Sequence, residues 1–200
     1  MTPGQQVTVD ISTVSQDMAS PTQTGTPPTI TMNGNAFPPP KGGGPAFNSG
    51  VQVAVLDPSM DITSPSSIRS NQYIPVFEEN GNWMSYYQWT WAAVVRQVLT
   101  SGNPEQQLIL IATFGLDANM PPTSDALALF LQLGAGPQLQ TWETTVDVGS
   151  QSGQWVAYPA NYILVGNPGY GYGEATEAYG IAGQQSSVTT TAQVILTNAA

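Results

Sequence analysis

The chain has 200 residues, 40% of them hydrophobic and only 8% charged, with 13 acidic and 3 basic side chains and a formal net charge of −10. Three scattered cations, Lys41, Arg69 and Arg96, cannot form the clustered basic surface that releases counterions from phosphates, so nucleic acid is excluded as a partner, and the same count argues against anionic membrane surfaces. With no cysteine and no histidine, disulfides, thiolate nucleophiles, the common zinc sites and histidine-based triads are excluded as well.

This length fits one large domain with an appended segment: N-terminal strands and a Pro/Gly-rich arm over 1–49, and a β-rich domain over 50–200, together one structural unit. The charged fraction lies well below the roughly 25% usual for soluble domains. Thr, Ser, Gln and Asn must therefore build the polar surface, a style that suits proteins outside the cytoplasm and particle coats. No apolar run approaches 18 residues, so no membrane insertion is expected. Met1 to Asp10 lacks a charged start followed by an apolar stretch, so no signal peptide is expected there.

Val7, Val9 and Ile11 alternate with polar residues and predict a half-buried strand. Asp17 to Pro28 reads as a loop, and Thr29 to Asn33 as a short strand with Ile30 and Met32 on one face. Phe37 to Pro45 is a breaker run and an irregular connection. Val51, Val53 and Val55 mark a strong strand that turns at Leu56-Asp57-Pro58. Tyr73 to Phe77 reads as an edge strand, because Pro75 cannot donate to a ladder.

Ser85 to Leu99 is the best predicted helix, with a capping-box pair Ser85/Gln88. Its apolar stripe runs Tyr87, Trp91, Val94, Val95, Val98, Leu99, and Gly102 and Pro104 stop it. Leu108 to Ala112 is unbroken apolar sequence, as in a strand covered on both faces. Ser124 to Leu133 predicts a second helix, with Ser124 as N-cap, Leu127, Phe130 and Leu131 inward, and Gly134 as its end. Thr141 to Val148 and Gln154 to Tyr158 look like two arms of a hairpin around Gly149 to Gly153. Tyr162 to Gly166 is another buried strand, Asn167 to Gly173 a Gly/Tyr loop, and Ser187 to Thr197 a closing strand. The order predicts an α+β fold: β-rich, sandwich-like sheets with two packed helices.

At several places the sequence resembles the interleukin-like EMT inducer (ILEI, or PANDER-like) family. The resemblance is carried by Gly50-Val51-Gln52-Val53-Ala54-Val55-Leu56-Asp57, by Leu108 to Phe114 with Asp117 after it, by the helix Ser124 to Leu133 closed by Gly134, and by Asn161-Tyr162-Ile163-Leu164-Val165-Gly166. It spans residues 29 to 197 in order and spacing. The family's cysteines are missing, and its Arg-Asp pair before the last aromatic strand is replaced by Tyr158-Pro159-Ala160-Asn161. The segment Thr141 to Tyr158 looks like an insertion. What the resemblance implies is an ILEI-like fold in a secreted signalling protein or an accessory module of glycan-processing or cell-surface proteins, some of which bind carbohydrate.

Five residues make up the candidate ligand site. Tyr170 and Tyr172 offer apolar faces with polar tips, suited to stacking on sugars, and Asn167 offers an amide for hydroxyls. The same loop, Gly166 to Gly173, lacks the Lys-Ser/Thr that ends a phosphate-cradling loop. On the resemblance alone, Asp117 stands where the family carries an acid, and Asn161 falls at the place of its Arg-Asp pair. Tyrosines packed on the sheet and an Asp capping the next loop are the plainer readings of these residues.

The other acidic pairs are weaker. Asp57 and Asp61 frame a turn without EF-hand spacing, so no metal site is assigned. Glu78/Glu79 and Glu174/Glu177 are the remaining carboxylate pairs a glycosidase would require. Trp91 belongs to the core stripe, whereas Trp83 and Trp89 face elsewhere and suit a protein interface.

The expected function is a non-enzymatic recognition or adhesion module, extracellular or on a virion surface, with a glycan or a protein surface as partner and no cofactor. Alternatives are a structural subunit of a virion or extracellular fibre, which would self-assemble, and, last, a glycoside hydrolase.

Overall fold

The computed structural model describes residues 6–16, 24–37, 40, 49–57, 65–76, 83–101, 107–118, 120–151, 158–183 and 186–197. The alternation Val7, Val9, Ile11 does form a strand, β1 (Gln6–Gln16). It pairs antiparallel with β2 (Thr24–Met32) on one side and β10 (Ser187–Thr197) on the other. The two-residue β3 (Asn35–Ala36) completes this outer sheet in the order β10-β1-β2-β3. Strand β2 starts at Thr24, inside the stretch expected to be a loop, because pairing with β1 overrides its Thr/Gly/Pro composition. Most of the Phe37 to Pro45 run lies outside the described residues.

The second sheet holds β4 (Gly50–Leu56), β5 (Ile68–Pro75), β6 (Leu108–Phe114), β7 (Leu116–Asp117), β8 (Pro159–Gly166) and β9 (Thr176–Ile181). All its pairs are antiparallel, in the order β5-β4-β6-β8, with β7 and β9 also paired to β8. Strands β4, β6 and β8 are buried along their whole length; β6 carries the unbroken apolar run from Leu108, whereas β4 and β8 also bury the polar Gln52 and Asn161. Strand β5 is the edge strand that Pro75 demands, although it begins at Ile68, earlier than expected.

Two cores follow from the two faces of this central sheet. Val51, Val53, Val55, Ile109, Ile111, Tyr162 and Leu164 face three helices: α1 (Trp83–Thr100), α2 (Ser124–Gln132) and α3 (Pro137–Gln151). The alternate residues, Ala54, Leu56, Leu108, Leu110, Ala112, Ile163 and Val165, meet Val7, Val9, Ile11, Ile30 and Met32 of the outer sheet. The layers are therefore helices, central sheet, outer sheet, an α+β sandwich.

Several expectations need correction. There are three packed helices, not two, because Thr141 to Gln151 is helical and not a hairpin arm. The second proposed arm, Gln154 to Ala157, lies outside the described residues. Pro137 occupies the first helical position, where its missing N–H costs nothing. Buried Leu139 and Trp142, three residues apart, give α3 its inner stripe. Strand β9 was not expected at all.

Helix α1 begins at Trp83, which puts Ser85 within it and not at its cap, and Leu99 is 59% exposed, outside the stripe of Trp91, Val94 and Val98. In α2 the N-cap is Thr123; Ala126, Leu129 and Phe130 are buried and Leu127 packs half-buried against the same core, whereas Leu131 is exposed.

Candidate functional site

The strand β8 leaves the central sheet at Gly166, where a side chain would collide with the Leu133 carbonyl at the end of α2. This close approach seats the β8–β9 loop on the α2–α3 junction. Gly134 closes α2 at φ +91, and a Cβ there would stand 2.6 Å from the Tyr170 Cβ. The junction backbone then binds the loop directly: Gly173 N–H donates to the Ala135 carbonyl (3.3 Å) and Ala175 N–H to the Gly134 carbonyl (3.1 Å).

Within the loop, Asn167 works from both ends of its amide. Its Oδ1 accepts the Gly169 N–H at 2.8 Å, and its Nδ2 donates to the Gln107 carbonyl at 2.7 Å. Tyr170 N–H donates to the Asn167 carbonyl at 2.9 Å. Glu174 closes the second turn, accepting the Gly171 N–H on Oε2 at 2.6 Å while its own N–H donates to the Gly171 carbonyl at 3.0 Å. On this braced frame Tyr170 is 40% and Tyr172 63% exposed. The Tyr172 hydroxyl donates to Gln140 Oε1 of α3 at 3.3 Å.

Glu177, on β9, fixes the underside of the same region. Its Oε1 accepts the N–H groups of Gly136 (3.0 Å) and Gln138 (2.9 Å), and its Oε2 accepts that of Leu139 (3.3 Å). These are orphan donors of the first turn of α3, so Glu177 caps that helix from a distant strand and sets a negative charge at the positive end of its dipole. The Tyr162 hydroxyl donates to the same Oε2 at 2.7 Å. Burial, reinforced by the Glu177 charge and this hydrogen bond, holds the Tyr162 phenol far above the usual tyrosine range. Sequence reasoning saw Glu177 only as half of an acidic pair with Glu174. The signal it missed is Pro137, a helix-start residue with no acceptor side chain just before it.

The five candidate residues do not converge. Asn167, Tyr170 and Tyr172 share the β8–β9 loop. Asp117 pairs in register with Pro159 at the opposite end of β8, about 23 Å from Gly166 at the rise of an extended strand. Asp117 is buried, and its Oδ1 lies 3.4 Å from the Tyr158 N–H it accepts.

Asn161 is wholly buried between the sheets. Its Nδ2 donates to the carbonyls of Thr13 (3.2 Å) and Val188 (3.1 Å), and its Oδ1 accepts from the Ser15 hydroxyl. Thr13 Oγ1 donates to the Thr113 carbonyl at 2.5 Å beside it, so this end of the sandwich is fastened by polar groups where the valine alternation of β1 stops.

Asp57 Oδ2 pairs with Arg69 at 2.7 Å, tying the end of β4 to β5. Asp61, Glu78 and Glu79 lie outside the described residues. Among the described residues no three acidic side chains gather in a cluster able to hold a metal ion, and no helix is long and apolar enough to cross a membrane. No protein-family model matches the chain, and no curated protein matches it in sequence.

Proposed function

We propose that this protein is a non-enzymatic recognition module whose binding face is the Tyr170/Tyr172 loop, with an uncharged glycan as ligand. The observation that carries the reading is the combination of two exposed aromatic rings with a loop whose backbone is already braced by Asn167, Glu174 and the α2–α3 junction. A ligand meeting such a loop orders little of it on binding, so stacking energy is not offset by a large entropy cost. Tyrosine rings supply an apolar face for a sugar ring and a hydroxyl for its edge. Gln140 and the exposed glycine backbone of the loop add polar groups at the rim.

Carbohydrate fits better than a charged ligand. The carboxylates of this region, Glu174 and Glu177, are both engaged with backbone N–H groups, and no cation belongs to the loop. Those same engagements leave neither carboxylate poised as a free acid or nucleophile, which weighs against hydrolysis. The low charged fraction of the chain supports display outside the cell or on a particle. The ILEI resemblance belongs to this reading too, since a sandwich with helices on one face and an accessory glycan-binding role would follow from it.

A glycan array probed with the wild-type chain and with Tyr172→Ala tests the proposal. Binding to a restricted set of neutral glycans, weakened by the variant, supports it. Binding that the variant leaves unchanged rejects the loop as the site.

A further inference from the structure

The β8–β9 loop uses up its own donors. From Gly169 to Ala175 every N–H except that of Tyr172 donates within the protein. Gly169 donates to Asn167 Oδ1, Tyr170 to the Asn167 carbonyl and Gly171 to Glu174 Oε2. Gly173 donates to the Ala135 carbonyl, Glu174 to the Gly171 carbonyl and Ala175 to the Gly134 carbonyl.

Three of these bonds fix the direction of a carbonyl. In a trans peptide the C=O points away from the N–H that shares its plane. The Tyr170 N–H is held by Asn167 at 2.9 Å, so the Gly169 carbonyl turns the other way. The Gly171 N–H is held by Glu174 at 2.6 Å, which turns out the Tyr170 carbonyl. The Gly173 N–H is held by Ala135 at 3.3 Å, which turns out the Tyr172 carbonyl. Among the described residues no group donates to these three carbonyls, and Gly169, Tyr170 and Tyr172 are all exposed. Because their N–H groups are anchored, the planes cannot flip to present donors instead.

Two side chains add to the acceptors. The Tyr172 hydroxyl gives its hydrogen to Gln140, so its oxygen is left to accept. Glu174 is the one charged residue between Asn167 and Ala175, and its carboxylate only accepts. Against these stand the Tyr172 N–H, the Tyr170 hydroxyl and the Gln140 amide nitrogen as donors. A carbonyl that loses water on binding must regain a donor, or its desolvation counts against the complex. A sugar hydroxyl supplies that donor. An ether, an ester, a fluorine or a sulfate does not, and a sulfate also meets the Glu174 charge with no cation in the loop to offset it.

We propose that the tyrosine loop selects glycans by the hydroxyl hydrogens they donate. Its ligand carries free hydroxyl groups on the edge that meets the Gly169, Tyr170 and Tyr172 carbonyls, and the same glycan alkylated, acylated or sulfated on that edge is rejected. This rests on the glycan reading of the loop and adds to it the direction of the hydrogen bonds.

The test is an array of neutral oligosaccharides of glucose, galactose and mannose. Each is printed beside counterparts with one hydroxyl replaced by fluorine and beside its O-sulfated form, and the array is read with the full chain and with Tyr172→Ala. Fluorine approximates the size of a hydroxyl but cannot donate. For a glycan whose binding Tyr172→Ala weakens, fluorination of at least one hydroxyl is expected to reduce affinity roughly fivefold, the loss of one hydrogen bond. Sulfation is expected to reduce it further. Binding that depends on Tyr172 yet tolerates fluorine at every hydroxyl in turn, or is as strong for the sulfated forms, overturns the inference and leaves the loop as the site. No binding to any of these glycans, or binding indifferent to Tyr172→Ala, rejects the loop itself and the inference with it.

Discussion

The Tyr162 hydroxyl donates a 2.7 Å hydrogen bond to Glu177 Oε2, and the carboxylate that receives it also accepts three backbone N–H groups at the start of α3. One buried phenol on β8 and one carboxylate on β9 thus join the central sheet to the helix that supports the tyrosine loop. Trp142 of α3 packs on both Tyr162 and Tyr179, with ring centroids 5.7 and 5.8 Å away, so the polar link and the aromatic cluster reinforce each other.

Replacing Glu177 with Gln should therefore unfold the protein more easily. An amide keeps one acceptor but loses the charge and turns a donor toward other donors. The expected cost is about 1–3 kcal/mol, from charge-assisted hydrogen bonds and the helix dipole. Urea denaturation should show a lower midpoint with an unchanged slope. Glu174→Gln, at an exposed site, should change the midpoint far less.

Alkaline pH should destabilise the fold through its buried phenols. Burial raises Tyr73 above the ordinary tyrosine range, and burial plus Glu177 raises Tyr162 further. A group whose folded pKa is raised contributes stability fully below its unfolded pKa, and that contribution is lost as pH climbs beyond it. Stability should thus be level with respect to these groups up to about pH 9 and fall above about pH 10. Denaturant titrations carried above about pH 10 should show the decline, and Tyr162→Phe should reduce its slope while costing about 1 kcal/mol at neutral pH.

Asn161→Ala should be among the most damaging polar substitutions. It strips a partner from the Thr13 and Val188 carbonyls at the seam between the sheets, while the Ser15 hydroxyl keeps only the Ala160 carbonyl as acceptor. A loss of about 2–4 kcal/mol is expected from the unsatisfied groups left behind, seen as a lower melting temperature. Hydrogen exchange should locate the weakening at the end of β1 and the start of β10.

Gly166→Ala should displace the loop without touching either tyrosine. The added methyl would run into the Leu133 carbonyl, which is backbone and cannot swing aside. A destabilisation above about 2 kcal/mol is expected by thermal melting, together with weaker glycan binding.

Much of the fold was legible in local pattern. Val51, Val53 and Val55, the run from Leu108, and Tyr162 to Gly166 all gave strands, because burial on one or both faces writes itself into apolar spacing. What failed was α3. Thr144-Thr145-Val146 favours a strand locally, but the helix is secured by Glu177, about forty residues later by the spacing of their hydrogen bonds, and by Leu139 and Trp142 meeting the core. Nothing local could announce a cap supplied by another element.

Strand β9 escaped for a related reason: Thr176 to Ile181 alternates weakly, and its identity as a strand comes from pairing with β8. The candidate site divided along the same line. Asn167, Tyr170 and Tyr172 lay on one short loop and stayed together, whereas Asp117 and Asn161 depended on three-dimensional placement and fell at the far end of β8.

The most direct test of the tyrosine platform is a titration of a neutral oligosaccharide, chosen from the array, into isotope-labelled protein followed by backbone amide shifts. The account predicts shifts concentrated at Gly169, Gly171, Gly173 and Gln140, and a loss of affinity of about five- to tenfold for each of Tyr170→Ala and Tyr172→Ala, as one stacking ring is worth about 1 kcal/mol. Shifts centred on another surface, or affinity untouched by both substitutions, would contradict it.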